Sequence, residues 1–146
     1  MILLLATVAL LPVNLQEPGE SVPFTILDKG ASSGFQSPRE MFVSSQKDWA
    51  ETWAMRLGAA PTKKALPVVD FERDVAIVAA VGMQNTGGYA IEITRIVRTK
   101  DAIEIFVKRS SPPEGTKPGG GATAPFVLAR MKKPDRPVTF RDEEKK

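Results

Sequence analysis

The stretch Val75-Ala76-Ile77-Val78-Ala79-Ala80-Val81 constrains this chain more than any other. It is an apolar, largely β-branched run with no charge, the pattern of a strand covered on both faces. The run meets a polar turn, Gln84 to Gly88, and resumes as an alternating strand. In that second strand Tyr89, Ile91 and Ile93 share one face, while Glu92 and Thr94 point the other way. A turn of this length between two strands predicts a β-hairpin. Gly87 and Gly88 can take positive φ without a Cβ clash, which would reverse the chain sharply and set Tyr89 beside the turn.

The flanking sequence predicts more strands and one helix. Gln16 to Ser21 reads as a polar linker. Val22 to Leu27 is a strand with Pro23 at its start or on a sheet edge, and Asp28 to Pro38 is a loop rich in Gly and Ser. Glu40 to Ser44 is a short second strand. A helix follows, with Ser45 as N-cap and Asp48 three residues on. Trp49, Trp53 and Leu57 recur on one face of it, Gly58 ends it, and Pro61 prevents resumption. Two Trp on one face can serve as a ligand platform, but packing onto a sheet is the commoner use. Ile96-Val97 blurs the alternation and hints at a β-bulge. Ile103, Ile105 and Val107 alternate with Glu104, Phe106 and Lys108 in a half-exposed strand. Ser110 to Ala124 is a long Pro- and Gly-rich loop, of the length that is usually functional or mobile. Pro125 to Met131 and Pro137 to Phe140 are the last strands, and Arg141 to Lys146 is a mixed-charge tail. The expected fold is therefore mainly β (α+β). It is an antiparallel sandwich or partly open barrel of about seven strands, mostly paired with sequence neighbours, with one covering helix.

Composition removes whole classes of chemistry. The chain has 146 residues, no Cys and no His. Ser-His-Asp and Cys-His catalysis, His/Cys zinc sites and disulfides are all excluded. A net charge of +3, scattered and without interleaved aromatics, does not make a nucleic-acid groove. If extended, Asp70, Glu72 and Asp74 would share a face as oxygen ligands or a carboxylate pair, but no calcium-loop spacing is present. Gly119-Gly120-Gly121 lacks the lysine and strand-to-helix context of a phosphate loop. Ser44, Ser45, Lys63 and Lys64 show no spacing for a Ser/Lys pair. The expectation is a non-enzyme with no metal and no cofactor. Met1 to Val13 is apolar and uncharged, and fits the core of an export signal ending near residue 16. Residues 17–146 then form one domain, secreted or periplasmic, and without Cys no lipid anchor at a mature N-terminal cysteine is available.

Trp49 and Trp53, then Val69-Asp70-Phe71, a β-run, Thr86-Gly87-Gly88-Tyr89 and Ala124-Pro125-Phe126 together resemble the PrcB C-terminal domain family, over roughly Phe42 to Phe140. The family is named for a lipoprotein component of a bacterial surface protease complex. The resemblance implies a secreted accessory domain whose partner is a protease or other secreted protein. A second resemblance is to chagasin-type cysteine-protease inhibitors of immunoglobulin-like fold. Asn85-Thr86-Gly87-Gly88-Tyr89, Gly119-Gly120-Gly121 and Arg136-Pro137-Val138 stand in the order of that family's three contact loops, with one Pro and one Thr missing from the first and Val in place of an aromatic in the third. On either resemblance the binding residues are Asn85, Thr86, Gly87, Gly88, Tyr89, Gly119, Gly120, Gly121 and Arg136. Turn chemistry alone is the plainer reading of Gly87-Gly88-Tyr89, with Tyr89 packed in the core.

Overall fold

The computed structural model describes residues 19–58, 64–115 and 119–143. The expected export signal, Pro61, Lys63 and the end of the C-terminal tail lie outside these residues. Among the described residues, eight strands and one helix run in the order β1 (Glu20–Ser21), β2 (Phe24–Gly30), β3 (Arg39–Val43), α1 (Gln46–Leu57), β4 (Asp74–Ala80), β5 (Ala90–Arg98), β6 (Ile103–Ser110), β7 (Phe126–Lys132) and β8 (Val138–Asp142). They make two four-stranded sheets, β1-β5-β6-β8 and β2-β7-β4-β3. The fold is an open sandwich with one helix, not a closed barrel.

The molecule has three layers. Val75, Ile77 and Ala79 of β4 meet Ile91, Ile93, Ile96, Ile103, Ile105 and Val107 of the facing sheet. Ala76, Val78 and Ala80 point the opposite way, onto Trp49 and Trp53 of α1. Every residue of β4 after Asp74 is buried, which is why the run tolerates no polar side chain. The small alanines on the helix side leave room for the two indoles. The Trp49 Nε1–H donates to the Pro67 carbonyl at 2.8 Å and the Trp53 Nε1–H to the Lys64 carbonyl at 3.3 Å, so neither buried indole lacks a partner. The helix begins as its residues predict. The Asp48 amide donates to Ser45 Oγ, and Gly58, at φ 53°, closes the end by donating its N–H to the Ala54 carbonyl.

The central stretch is not a hairpin. β4 pairs with β3 and β7, whereas β5 pairs with β1 and β6 in the other sheet, so residues 81–89 cross between layers. The cause lies in what each strand needs covered. β4 is apolar on both faces and belongs in the middle layer. β5 is buried at Ile91 and Ile93 and exposed at Glu92 and Thr94, so placing it beside β4 would push those polar side chains against the helix or into the core.

Other expectations are corrected more locally. Glu20–Ser21 is a short strand paired with Val97 and Arg98 rather than linker. β2 continues through Asp28 to Gly30 by way of a bulge at Leu27, where the register jumps from Ile26–Ala129 to Asp28–Leu128. Arg141 and Asp142 belong to β8, which pairs with β6 in parallel, the one parallel pairing among the described strands. Residues 71–73 are a turn with Asp70 Oδ1 accepting from the Glu72 amide, so Asp70, Glu72 and Asp74 do not form a common extended face. The expected irregularity in β5 is present. A bulge at Thr94 shifts the alternation by one and returns Ile96 to the core beside Ile91 and Ile93.

Candidate functional site

Three connections meet at one end of the sandwich: residues 31–38, 81–90 and 111–125. Gly82, at φ 89°, lets the chain leave β4 flat against the backbone of Ser37 and Pro38, where a Cβ would lie 2.8 Å from the Ser37 carbonyl carbon. The Met83 amide donates to the Gln36 carbonyl at 3.1 Å. Gln84 and Thr123 then exchange backbone hydrogen bonds at 2.7 and 2.8 Å, an isolated antiparallel bridge between the crossing loop and the long one. Thr123 Oγ1 adds a bond to the Thr86 carbonyl at 2.8 Å. On the far side of the long loop, the Ala124 amide donates to the Ala31 carbonyl and Ser33 Oγ donates to the Ala124 carbonyl. The three loops are thus tied by backbone hydrogen bonds, and they present a surface held by the sheets beneath.

The expected binding residues divide between the two ends. Asn85, Thr86, Gly87, Gly88 and Tyr89 lie next to Gly119, Gly120 and Gly121. A Cβ on Gly87 would approach the Gly119 carbonyl oxygen to 3.0 Å, and one on Gly88 would meet Pro112 at 2.8 Å. Of the glycine pair only Gly88, at φ 90°, uses positive φ; Gly87 is glycine for closeness rather than for conformation. Asn85 and the Gly119–Gly121 run are exposed, while Thr86 and Tyr89 are half-buried. Arg136 is elsewhere. Its guanidinium donates to the Thr99 and Lys100 carbonyls and to Asp135 Oδ1, at the β5–β6 turn. That turn and the loop end are separated by the length of β6, about 23 Å at roughly 3.3 Å per residue. Arg136 therefore does not join the other eight residues.

Charge separates the two ends as clearly. Residues 31–38, 81–90 and 119–125 include no Asp, Glu, Lys or Arg, and the charges of the long loop, Glu114 and Lys117, stand in its first half. Met83 is 47% exposed among them. The opposite end carries Lys100, Asp101, Lys132, Lys133, Asp135 and Arg136. There Arg98 Nη2 donates to Asp135 Oδ2 at 2.6 Å, and this hydrogen bond holds the Asp135 carboxyl below its ordinary range and raises the Arg98 guanidinium above its own. Residues 81–90 and 119–125 supply amides, hydroxyls, a thioether and backbone groups, which hydrogen-bond and pack but offer no carboxylate or cation for proton transfer. Sequence reasoning did not single out Gln36, Ser37 and Pro38 or Met83. The signal available for them was the lack of charge shared by three separate stretches.

Gly82→Ala should cost about 2–4 kcal/mol, the penalty of positive φ together with the overpacking against Ser37. Thermal melting would show it, and a Tm within a degree of wild type would mean the loop end is not held as described.

No curated protein and no solved structure matches the chain. The PrcB C-terminal family model does match, over residues 75–132. The match runs from β4 to β7 and takes in the crossing loop and the Gly-rich loop, but it stops short of Trp49 and Trp53 on one side and of Phe140 on the other, narrower than the resemblance read from the sequence. The matched stretch, strands β4 to β7 with the connections between them, is similar to the PrcB C-terminal family.

Proposed function

We propose that this is a secreted, non-enzymatic accessory domain that holds a protease, or another exported protein, through the uncharged part of its loop end, residues 84–89 and 119–123. The observation that carries the reading is the joining of residues 84–89 to residues 119–123 in one hydrogen-bonded surface, free of charged groups and inside the family match. The centres of protein–protein interfaces are depleted in charge, and a surface fixed before binding loses little entropy on docking. The family's association with a protease complex supplies the class of partner, and the uncharged apolar start of the chain supports export. A three-loop inhibitor edge of chagasin type would need Arg136-Pro137-Val138 beside the other two loops, and these residues lie at the opposite end.

The test is co-purification from the extracellular fraction of the host, comparing wild type with Asn85→Ala, Thr86→Ala. Neither side chain is buried, so the double variant should melt like wild type and bind its partner at least tenfold more weakly, the loss of one or two interface anchors. Unchanged binding would move the interface elsewhere. Recovery of the protein only from the cytoplasm, with Met1 intact, would defeat export.

A further inference from the structure

Among the described residues the sheet β2-β7-β4-β3 ends at β3, and the outer N–H and C=O groups of Arg39–Val43 have no neighbouring strand. Edges of this kind pair with added strands unless charge or a bulge blunts them. β3 carries one charged residue of each sign at its start, Arg39 and Glu40, and then exposes Met41 and Phe42, at 36% and 43%. An ion trio closes the gap between the sheets at the first half of the strand, where Arg109 of β6 pairs with both Glu40 and Asp142. Past it the gap is open. A cleft of about 520 Å³ lies between β3 and β8, with Phe42, Val75, Pro134, Pro137 and Val138 as its walls. Lys133 and Arg136 line it too, and no carboxylate does. Arg136 is committed to Asp135 and two carbonyls, whereas the Lys133 ammonium has no acidic partner among the described residues.

From this edge and cleft we infer a second docking surface, distinct from the loop end, that takes an extended peptide strand of a partner protein by β-addition along β3. Cross-strand neighbours share a face, and residues two apart share it as well. Phe42 and Ser44 both line the cleft, so the docked residues opposite them point into it together. The one facing Phe42 must be apolar. The one two positions along, facing Ser44 beside Lys133, must be acidic. Main-chain hydrogen bonds supply the general affinity, and this apolar-x-acidic pair supplies the choice of segment.

The probe is a fluorescein-labelled heptapeptide of alternating threonine, with leucine and glutamate two residues apart, titrated into the 15N-labelled full chain. Amide signals of Arg39 to Ser44 and Lys133 to Val138 should move, and those of residues 84–89 should stay. Replacing the glutamate of the peptide with lysine should weaken binding about fivefold, the scale of one rim charge pair. Lys133→Glu should invert that preference, which a merely structural lysine would not do. Phe42→Lys, at an exposed position that the fold can spare, should weaken every peptide at least tenfold. Absence of shifts at millimolar peptide, or shifts confined to the loop end, would overturn the proposal. Shifts of the β3 amides on raising protein concentration alone would overturn it in favour of a second copy of the chain.

Discussion

Asp28→Leu should destabilise the protein by about 3–5 kcal/mol, because it leaves the Arg56 guanidinium buried under the helix without an anion. Asp28 Oδ2 accepts from Arg56 Nε at 2.7 Å, and the two side chains are only 9% and 10% exposed. Arg56 also stacks over Phe126, 4.3 Å from the ring centroid, so it cannot swing out to water without uncovering the core. The reciprocal change should hurt less. In Arg56→Met the Lys64 ammonium, 3.5 Å from Asp28 Oδ1, remains to balance the carboxylate. Replacing both residues, Asp28→Leu with Arg56→Met, should recover most of the loss, since a well-packed apolar pair avoids desolvating two charges. Urea denaturation of the four proteins gives the coupling directly. Single variants within about 1 kcal/mol of wild type would show that the pair is not buried as described.

Trp49→Ala should be comparably costly, about 3–5 kcal/mol and roughly 10–15 °C in Tm. The indole is fully buried between α1 and the alanine face of β4, and its N–H is bonded to the Pro67 carbonyl. The chain has two Trp, both buried, so the folded protein should emit at short wavelength and shift red on unfolding. Val68→Ala, at a position 85% exposed, is the control and should leave Tm unchanged. A Trp49→Ala protein that melts with the control would make the indole stripe a surface feature and the helix a weakly attached one.

Much of this fold was legible residue by residue, and the failures share one cause. β4, β6 and α1 could be read because their burial pattern follows from local spacing: both faces, alternate residues, or one helical stripe. The partner of each strand could not. Nothing local in Gln84 to Gly88 distinguishes a hairpin from a crossing between sheets, and only the mismatch between a doubly buried β4 and a half-polar β5 argues for the crossing. The bulge at Leu27 hid for the same reason. Strict alternation would aim Asp28 at the core between the sheets. The extra residue turns it toward Arg56, so its polarity looks like the end of a strand until the helix is in place. At the candidate site, motif order groups residues 84–89 with the Gly119–Gly121 loop, and the fold brings the two together. The third motif residue, Arg136, was placed with them by order along the chain, which carries no information about which end of a sandwich a loop occupies.

The crossing between sheets also sets an order of events. β7 is the strand that β2 and β4 both require, with Phe24 pairing to Met131 and Ala80 to Phe126. It is the second-last strand to leave the ribosome or a translocation channel. Until it arrives, β4 has only the short β3 on one side, and its apolar run lies open along the other. Closing two such distant pairings is slow compared with forming the local β5–β6 hairpin. The chain is therefore most prone to aggregate in the interval between the emergence of β4 and the docking of β7. That interval ends only after the Pro- and Gly-rich loop has passed, so the segment that bridges to residues 84–86 at the loop end also times the closure of the core.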